Sequence, residues 1–113
     1  MGAWVYILQC RDNSYYVGST SRVLEERVGA HNDGVGSDYT RRRRPVELLW
    51  SAYFDTYVDA FLLERRLKRW SRAKKEAFMA GDIARLKALA RRRSAAKSFP
   101  DVLENATPTE PSS

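Results

Sequence analysis

Two short runs of β-branched and aromatic residues open the chain. Trp4-Val5-Tyr6-Ile7-Leu8-Gln9-Cys10 and Ser14-Tyr15-Tyr16-Val17-Gly18-Ser19-Thr20 flank the polar triplet Arg11-Asp12-Asn13. That composition predicts a β-hairpin. A three-residue loop faces Cys10 with Ser14, Leu8 with Tyr16 and Tyr6 with Gly18. Side chains alternate along a strand, so Tyr6 and Tyr16 then share one face, with open space beside them at Gly18. Such loops want a left-handed third residue, a conformation that asparagine tolerates and Asn13 supplies.

Farther along, the apolar period changes. Leu24 and Val28 indicate a helix over roughly 23–32, with Arg27 and His31 one turn apart at the edge of its buried side. Asp33 to Asp38 reads as a glycine-containing loop. Val46 to Phe54 is a mostly apolar third strand, whose expected place is the centre of a three-stranded sheet. Thr56 caps a second helix with Asp59 as capping-box partner, and Ala60, Leu63, Leu67 and Trp70 form its core stripe. Glu64 falls about 40° from Ala60, inside that stripe, while Arg65, Arg66 and Arg69 take the far side. Ser71 caps a third helix through Ala80. Asp82 caps a fourth from Ile83 to about Arg93, with Ile83, Leu86, Leu89 and Ala90 on one face. Beyond Ser94 the apolar content falls and three prolines appear. These elements predict an α+β domain over residues 1–93 and a disordered tail over 94–113.

At 113 residues the chain holds one domain, and its net charge of +6 includes three acids in the tail, which leaves +9 for residues 1–99. An excess of that size favours a polyanionic partner, nucleic acid ahead of a membrane surface. The densest positive run is Arg41-Arg42-Arg43-Arg44, with Tyr39 just before it. A solvated charge run is the plain reading. Guanidinium groups beside an exposed ring also suit phosphate pairing with base stacking. Arg91-Arg92-Arg93 at a helix end is explained by the helix dipole alone. Cys10 is the only cysteine, so cysteine-based zinc sites and intrachain disulfides are excluded. With neither a secretory leader nor a long apolar span in the sequence, the expected location is the cytoplasm.

A carboxylate on the apolar side of a helix needs a partner. For Glu64 the sequence leaves two: an ion pair with Arg27, or a divalent cation. Two phenols, a guanidinium and an imidazole within one β-β-α unit suggest phosphate chemistry, although tyrosines also pack in sheets for purely structural reasons. His31 is the only histidine, and neither a glycine-rich phosphate loop nor a nucleophile elbow is present.

In order and spacing these residues resemble the GIY-YIG nuclease superfamily, most closely its small single-domain bacterial members. The first tripeptide of the family's name corresponds to Trp4-Val5-Tyr6, with Trp4 in place of glycine, and the second to Tyr16-Val17-Gly18. The helix arginine falls on Arg27, the histidine on His31 and the metal-binding glutamate on Glu64. The subgroup is further marked by Ser37-Asp38-Tyr39-Thr40, Arg44-Pro45-Val46-Glu47-Leu48 and Ser71-Arg72-Ala73-Lys74-Lys75-Glu76, so the likeness covers about residues 3–80. It implies a divalent-metal-dependent endonuclease or exonuclease, a hydrolase of DNA phosphodiester bonds in repair or recombination, using Mg or Mn on Glu64. Single-stranded or branched DNA is the expected preference, with a partner protein as another source of specificity. The implied catalytic set is Tyr6, Tyr16, Arg27, His31 and Glu64; beside it, the expected nucleic-acid contacts are Gly18, Tyr39, Arg41, Arg42, Arg43 and Arg44, the arginines and Tyr39 on the grounds of charge and stacking given above. One tyrosine would be the general base, its pKa lowered by Arg27, the cation and a protonated His31; the sequence does not separate Tyr6 from Tyr16. A non-catalytic nucleic-acid-binding module on the same fold is the alternative.

Overall fold

In the computed structural model the described residues are 2–91 together with Thr107–Pro108. The element order is β1 (Ala3–Gln9), β2 (Tyr15–Thr20), α1 (Leu24–Asn32), α2 (Asp38–Arg41), β3 (Glu47–Phe54), α3 (Tyr57–Arg69), α4 (Arg72–Ala80), α5 (Ile83–Arg91) and β4 (Thr107–Pro108). The strands form an antiparallel sheet in the order β2-β1-β3-β4. The two residues of β4 pair with Ala52 and Tyr53. The rest of the expected disordered tail lies outside the described residues.

The hairpin has the register that its loop length dictates. Tyr6 pairs with Gly18 and Leu8 with Tyr16, and the Cys10 amide donates to the Ser14 carbonyl at 2.8 Å. Asn13 takes the left-handed conformation at φ 70°. The third strand departs from expectation: among the three long strands β1 is central and β3 lies outside it. β1 is the run buried on both faces, with Val5, Tyr6, Ile7 and Leu8 all fully enclosed. An extra β3 residue, Leu49, interrupts the ladder at the Ile7–Leu8 step, so β3 reads as continuously apolar without being central.

Each sheet face carries its own core. On one, Val5, Ile7, Val17 and Trp50 pack against Ala60, Leu63 and Leu67 of α3, Phe78 of α4 and Leu86 of α5. On the other, Tyr6, Leu8 and Cys10 pack with Leu24 and Val28 of α1, Tyr16 and Val46. The caps are local. Thr56 Oγ1 accepts from the Asp59 amide at 3.2 Å and Ser71 Oγ from the Lys74 amide at 3.2 Å, while Gly81 ends α4 at φ 73°. The unexpected element is α2, one turn capped by Ser37 where a loop was expected. Four residues are too few to show a period.

Candidate active site

Laid across the Tyr6–Tyr16 side of the hairpin, α1 brings Arg27 and His31 over the phenols. Arg27 Nε donates to the Tyr6 hydroxyl at 3.2 Å, and that hydroxyl is 2.9 Å from His31 Nε2. His31 Nδ1 lies 2.8 Å from Thr40 Oγ1, which is 3.0 Å from Ser37 Oγ. Arg27 also donates to the Gly36 carbonyl at 3.2 Å, tying the loop before α2 to the same cluster. These bonds assign the hydrogens. A guanidinium can only donate, so the Tyr6 oxygen accepts from Arg27 and sends its own hydrogen to Nε2. The imidazole then carries its proton on Nδ1 and donates to Thr40.

Tyr6, His31 and Thr40 are fully buried. Burial, and next the Arg27 guanidinium, hold the His31 pKa down from 6.5 to about 4. The imidazole is therefore neutral at pH 7. The phenol of Tyr6 moves upward, chiefly through burial, and Arg27 offsets only part of that. The first finding corrects the expectation of a protonated His31, because burial removes that charge; at Tyr6 burial outweighs the Arg27 guanidinium. Tyr16 is half-buried, its ring edge-on to His31 at 5.1 Å between centroids, and no protein group bonds its hydroxyl among the described residues. Gly18 is filled rather than open: a Cβ there would lie 2.5 Å from the Tyr6 hydroxyl.

Glu64 arrives from the opposite sheet face, on α3. Its side chain is 14% exposed, with Oε2 2.8 Å from Lys68 Nζ. Oε1 accepts from Ser19 Oγ at 2.6 Å. Ser19 neighbours Gly18 but points to the other face of β2, as strand alternation requires. The carboxylate thus sits across β2 from the Tyr6 cluster, and its charge adds a minor upward push to the Tyr6 pKa. The ion pair considered from sequence does not form: Arg27 bonds Tyr6 and Gly36, and the cationic partner of Glu64 is Lys68.

Among the described residues no cluster of three or more His, Cys, Asp or Glu side chains gathers to hold a metal. The fit is instead that of a cation held by one carboxylate, with waters and substrate phosphate completing its shell, an arrangement usual for Mg²⁺. Glu64 is suitably placed for it, provided Lys68 releases Oε2.

The arginine run is only partly free. Arg41 pairs with Asp38 at 3.0 Å and Arg43 with Asp12 at 3.1 Å. Arg44 donates to the Arg41 carbonyl at 2.9 Å, and Arg42 is exposed. Arg43 lies 3.8 Å over the Tyr39 ring, and Tyr39 stacks on Tyr16 at 5.9 Å between centroids. This stack joins the run to the buried cluster. Arg11, Arg41, Arg42 and Arg44 line a depression of about 490 Å³ together with Asn32 and Pro45. Sequence reasoning left out Arg11, Ser19, Gly36 and Lys68. Only Lys68 carried a signal, four residues from Glu64 on one helix.

Comparison with known proteins places the chain in a family. A family model described as the GIY-YIG catalytic domain matches residues 2–77. The chain is 45% identical over 74 residues to the UPF0213 protein YazA of Bacillus subtilis, covering 66% of this chain and 74% of that one. Identity to the UPF0213 protein VNG_2274C of Halobacterium salinarum is 47% over 73 residues, 65% of this chain and 94% of that one. The solution NMR structure of the UPF0213 protein BH0048 of Bacillus halodurans is 38% identical, covers 71% of this chain and 84% of its own, and gives a TM-score of 0.48. Since the family model spans well over half of the 113 residues, the chain belongs to the GIY-YIG family.

Proposed function

We propose that this chain is a divalent-metal-dependent nuclease that hydrolyses DNA phosphodiester bonds, preferring single-stranded or branched DNA, in a reducing compartment such as the cytoplasm. The observation that carries the reading is the hydrogen-bonded chain Arg27–Tyr6–His31–Thr40 on one sheet face, with Glu64 bonded on the other face to Ser19, next to the Gly18 that pairs with Tyr6. A Mg or Mn ion on Glu64 would supply positive charge at the scissile phosphate and the leaving oxygen. Arg27 offers a fork matched to phosphate oxygens. Its move onto a phosphate frees the Tyr6 oxygen, whose lone pair then faces the attacking water. The Tyr6 hydroxyl, oriented by its bond to the neutral His31 Nε2, would accept a hydrogen bond from that water and align it for attack. Either tyrosine remains a candidate for the general base. Tyr39 and the arginine run would hold the strand, and a partner protein would choose the target.

Labelled single-stranded, duplex and branched DNA, and RNA, incubated with and without Mg²⁺ or Mn²⁺, test the reading. Metal-dependent scission that Glu64→Gln abolishes, with binding kept, is the expected result. Cutting by that variant at the unmodified rate would overturn the metal assignment. One observation favours the second reading, a non-catalytic binding module: Lys68 already neutralises Oε2 of Glu64. Salt-sensitive binding without scission under any metal would support that module instead.

A further inference from the structure

The outward face of α3 has no place in the reading above, yet it borders Glu64. At about 100° per residue, Tyr57, Phe61, Glu64 and Lys68 fall within an arc of about 60°. Tyr57 is 54% exposed and Phe61 43%, and their rings stack at 14° with centroids 6.4 Å apart. Arg65 lies 5.7 Å over the Phe61 ring. On the side of α3 away from the core, Arg65, Arg66 and Arg69 line a depression of about 300 Å³ with Leu62 and Trp70. Among the described residues none of these three arginines forms an ion pair. Exposed, near-parallel rings capped by a guanidinium, next to unpaired arginines, are what unpaired bases and their phosphates require. The set echoes Tyr39 under Arg43 on the other side of the candidate site.

We propose that α3 carries a second strand-binding subsite, in which Tyr57 and Phe61 stack bases and Arg65, Arg66 and Arg69 hold the phosphates of a single-stranded segment leaving the site at Glu64. The occupant rests on the nuclease reading through that adjacency to Glu64; the surface chemistry stands without it. Charge complementarity selects a polynucleotide over an apolar peptide, because Arg65 lies over the Phe61 ring and, with Arg66 and Arg69, lines the adjoining depression, none of the three in an ion pair among the described residues.

The test is binding by the full chain, in chelator, to labelled oligothymidylate and to an abasic phosphodiester of equal length. The unmodified protein should prefer the thymidylate by about fivefold or more, since each stacked base contributes that much or more. Tyr57→Ala/Phe61→Ala should lose at least about fivefold of that preference with its salt slope intact. Arg65→Ser/Arg66→Ser/Arg69→Ser should keep the preference while the slope shrinks by about 0.7 per lost contact. Tyr57→Phe/Phe61→Tyr, which keeps both rings, should behave as the unmodified chain. A double alanine variant with full preference overturns the subsite, as does dimerisation of the unmodified protein that the variant loses, because the rings would then join two copies. The preference without scission of any substrate upholds the subsite and sinks the nuclease reading; scission without the preference does the reverse.

Discussion

Arg27 touches two groups at once, the Tyr6 hydroxyl and the Gly36 carbonyl, and a lysine ammonium lacks the planar fork to do so. Arg27→Lys should therefore lower kcat/KM by about ten- to a hundredfold, the cost of charge-assisted contacts. Full rescue by lysine would reduce Arg27 to a general positive charge. Two glycines matter at the same scale for what they leave out. A Cβ at Gly18 would meet the Tyr6 ring at 2.5–2.9 Å, and one at Gly36 would lie 2.3 Å from His31 Nδ1. Both rings are buried and hydrogen-bonded, so neither can yield cheaply. Gly18→Ala and Gly36→Ala should each cost about 1–3 kcal/mol in urea unfolding. A stability change near zero in either would mean that the cluster relaxes around a methyl group.

Between elements, the connection from α2 to β3 is tied down by side-chain bonds. Arg43 and Arg44 hold it together, Arg43 through Asp12 and the Tyr39 carbonyl, Arg44 through the Arg41 and Asn32 carbonyls. Arg42, with its exposed side chain, and Arg41, whose single pairing is on the surface, are freer to meet phosphate. Arg41→Ser/Arg42→Ser should weaken binding and reduce the log–log salt slope by about 0.7 per lost contact to a single strand, while leaving the saturating rate alone. Steady-state cleavage at rising DNA concentration checks this through the Michaelis constant. An unchanged slope would make the pair a solvated surface, and a collapsed saturating rate would place one of them at the reacting phosphate.

Across the whole molecule, the buried histidine gives stability a pH dependence. Its folded pKa of about 4 lies below the ordinary 6.5, so the unfolded chain takes up the proton first as pH falls. The contribution is fully present above pH 6.5 and is lost through the window down to pH 4, up to about 3 kcal/mol in all. Urea midpoints at pH 7 and 4.5 should fall accordingly, and His31→Gln should flatten the difference; equal midpoints in the unmodified protein would mean that His31 is protonated in place. Several features were already legible in the chain because they depend on near neighbours: the hairpin register from a three-residue loop and Asn13, the caps at Thr56 and Ser71, and Glu64 on the inner stripe of α3. What needed the tertiary structure depends on groups far apart in sequence. Sheet order is one case, since an apolar strand reads alike whether a second strand or a helix covers it, and here β1 takes the centre. Charge state is another: His31 is neutral because β1, α1 and α2 close around it. The partner of Glu64 is a third, because Ser19 and Lys68 meet its two oxygens only once α3 lies against β2. Local sequence can specify local geometry, whereas burial and electrostatics sum over everything the fold brings near.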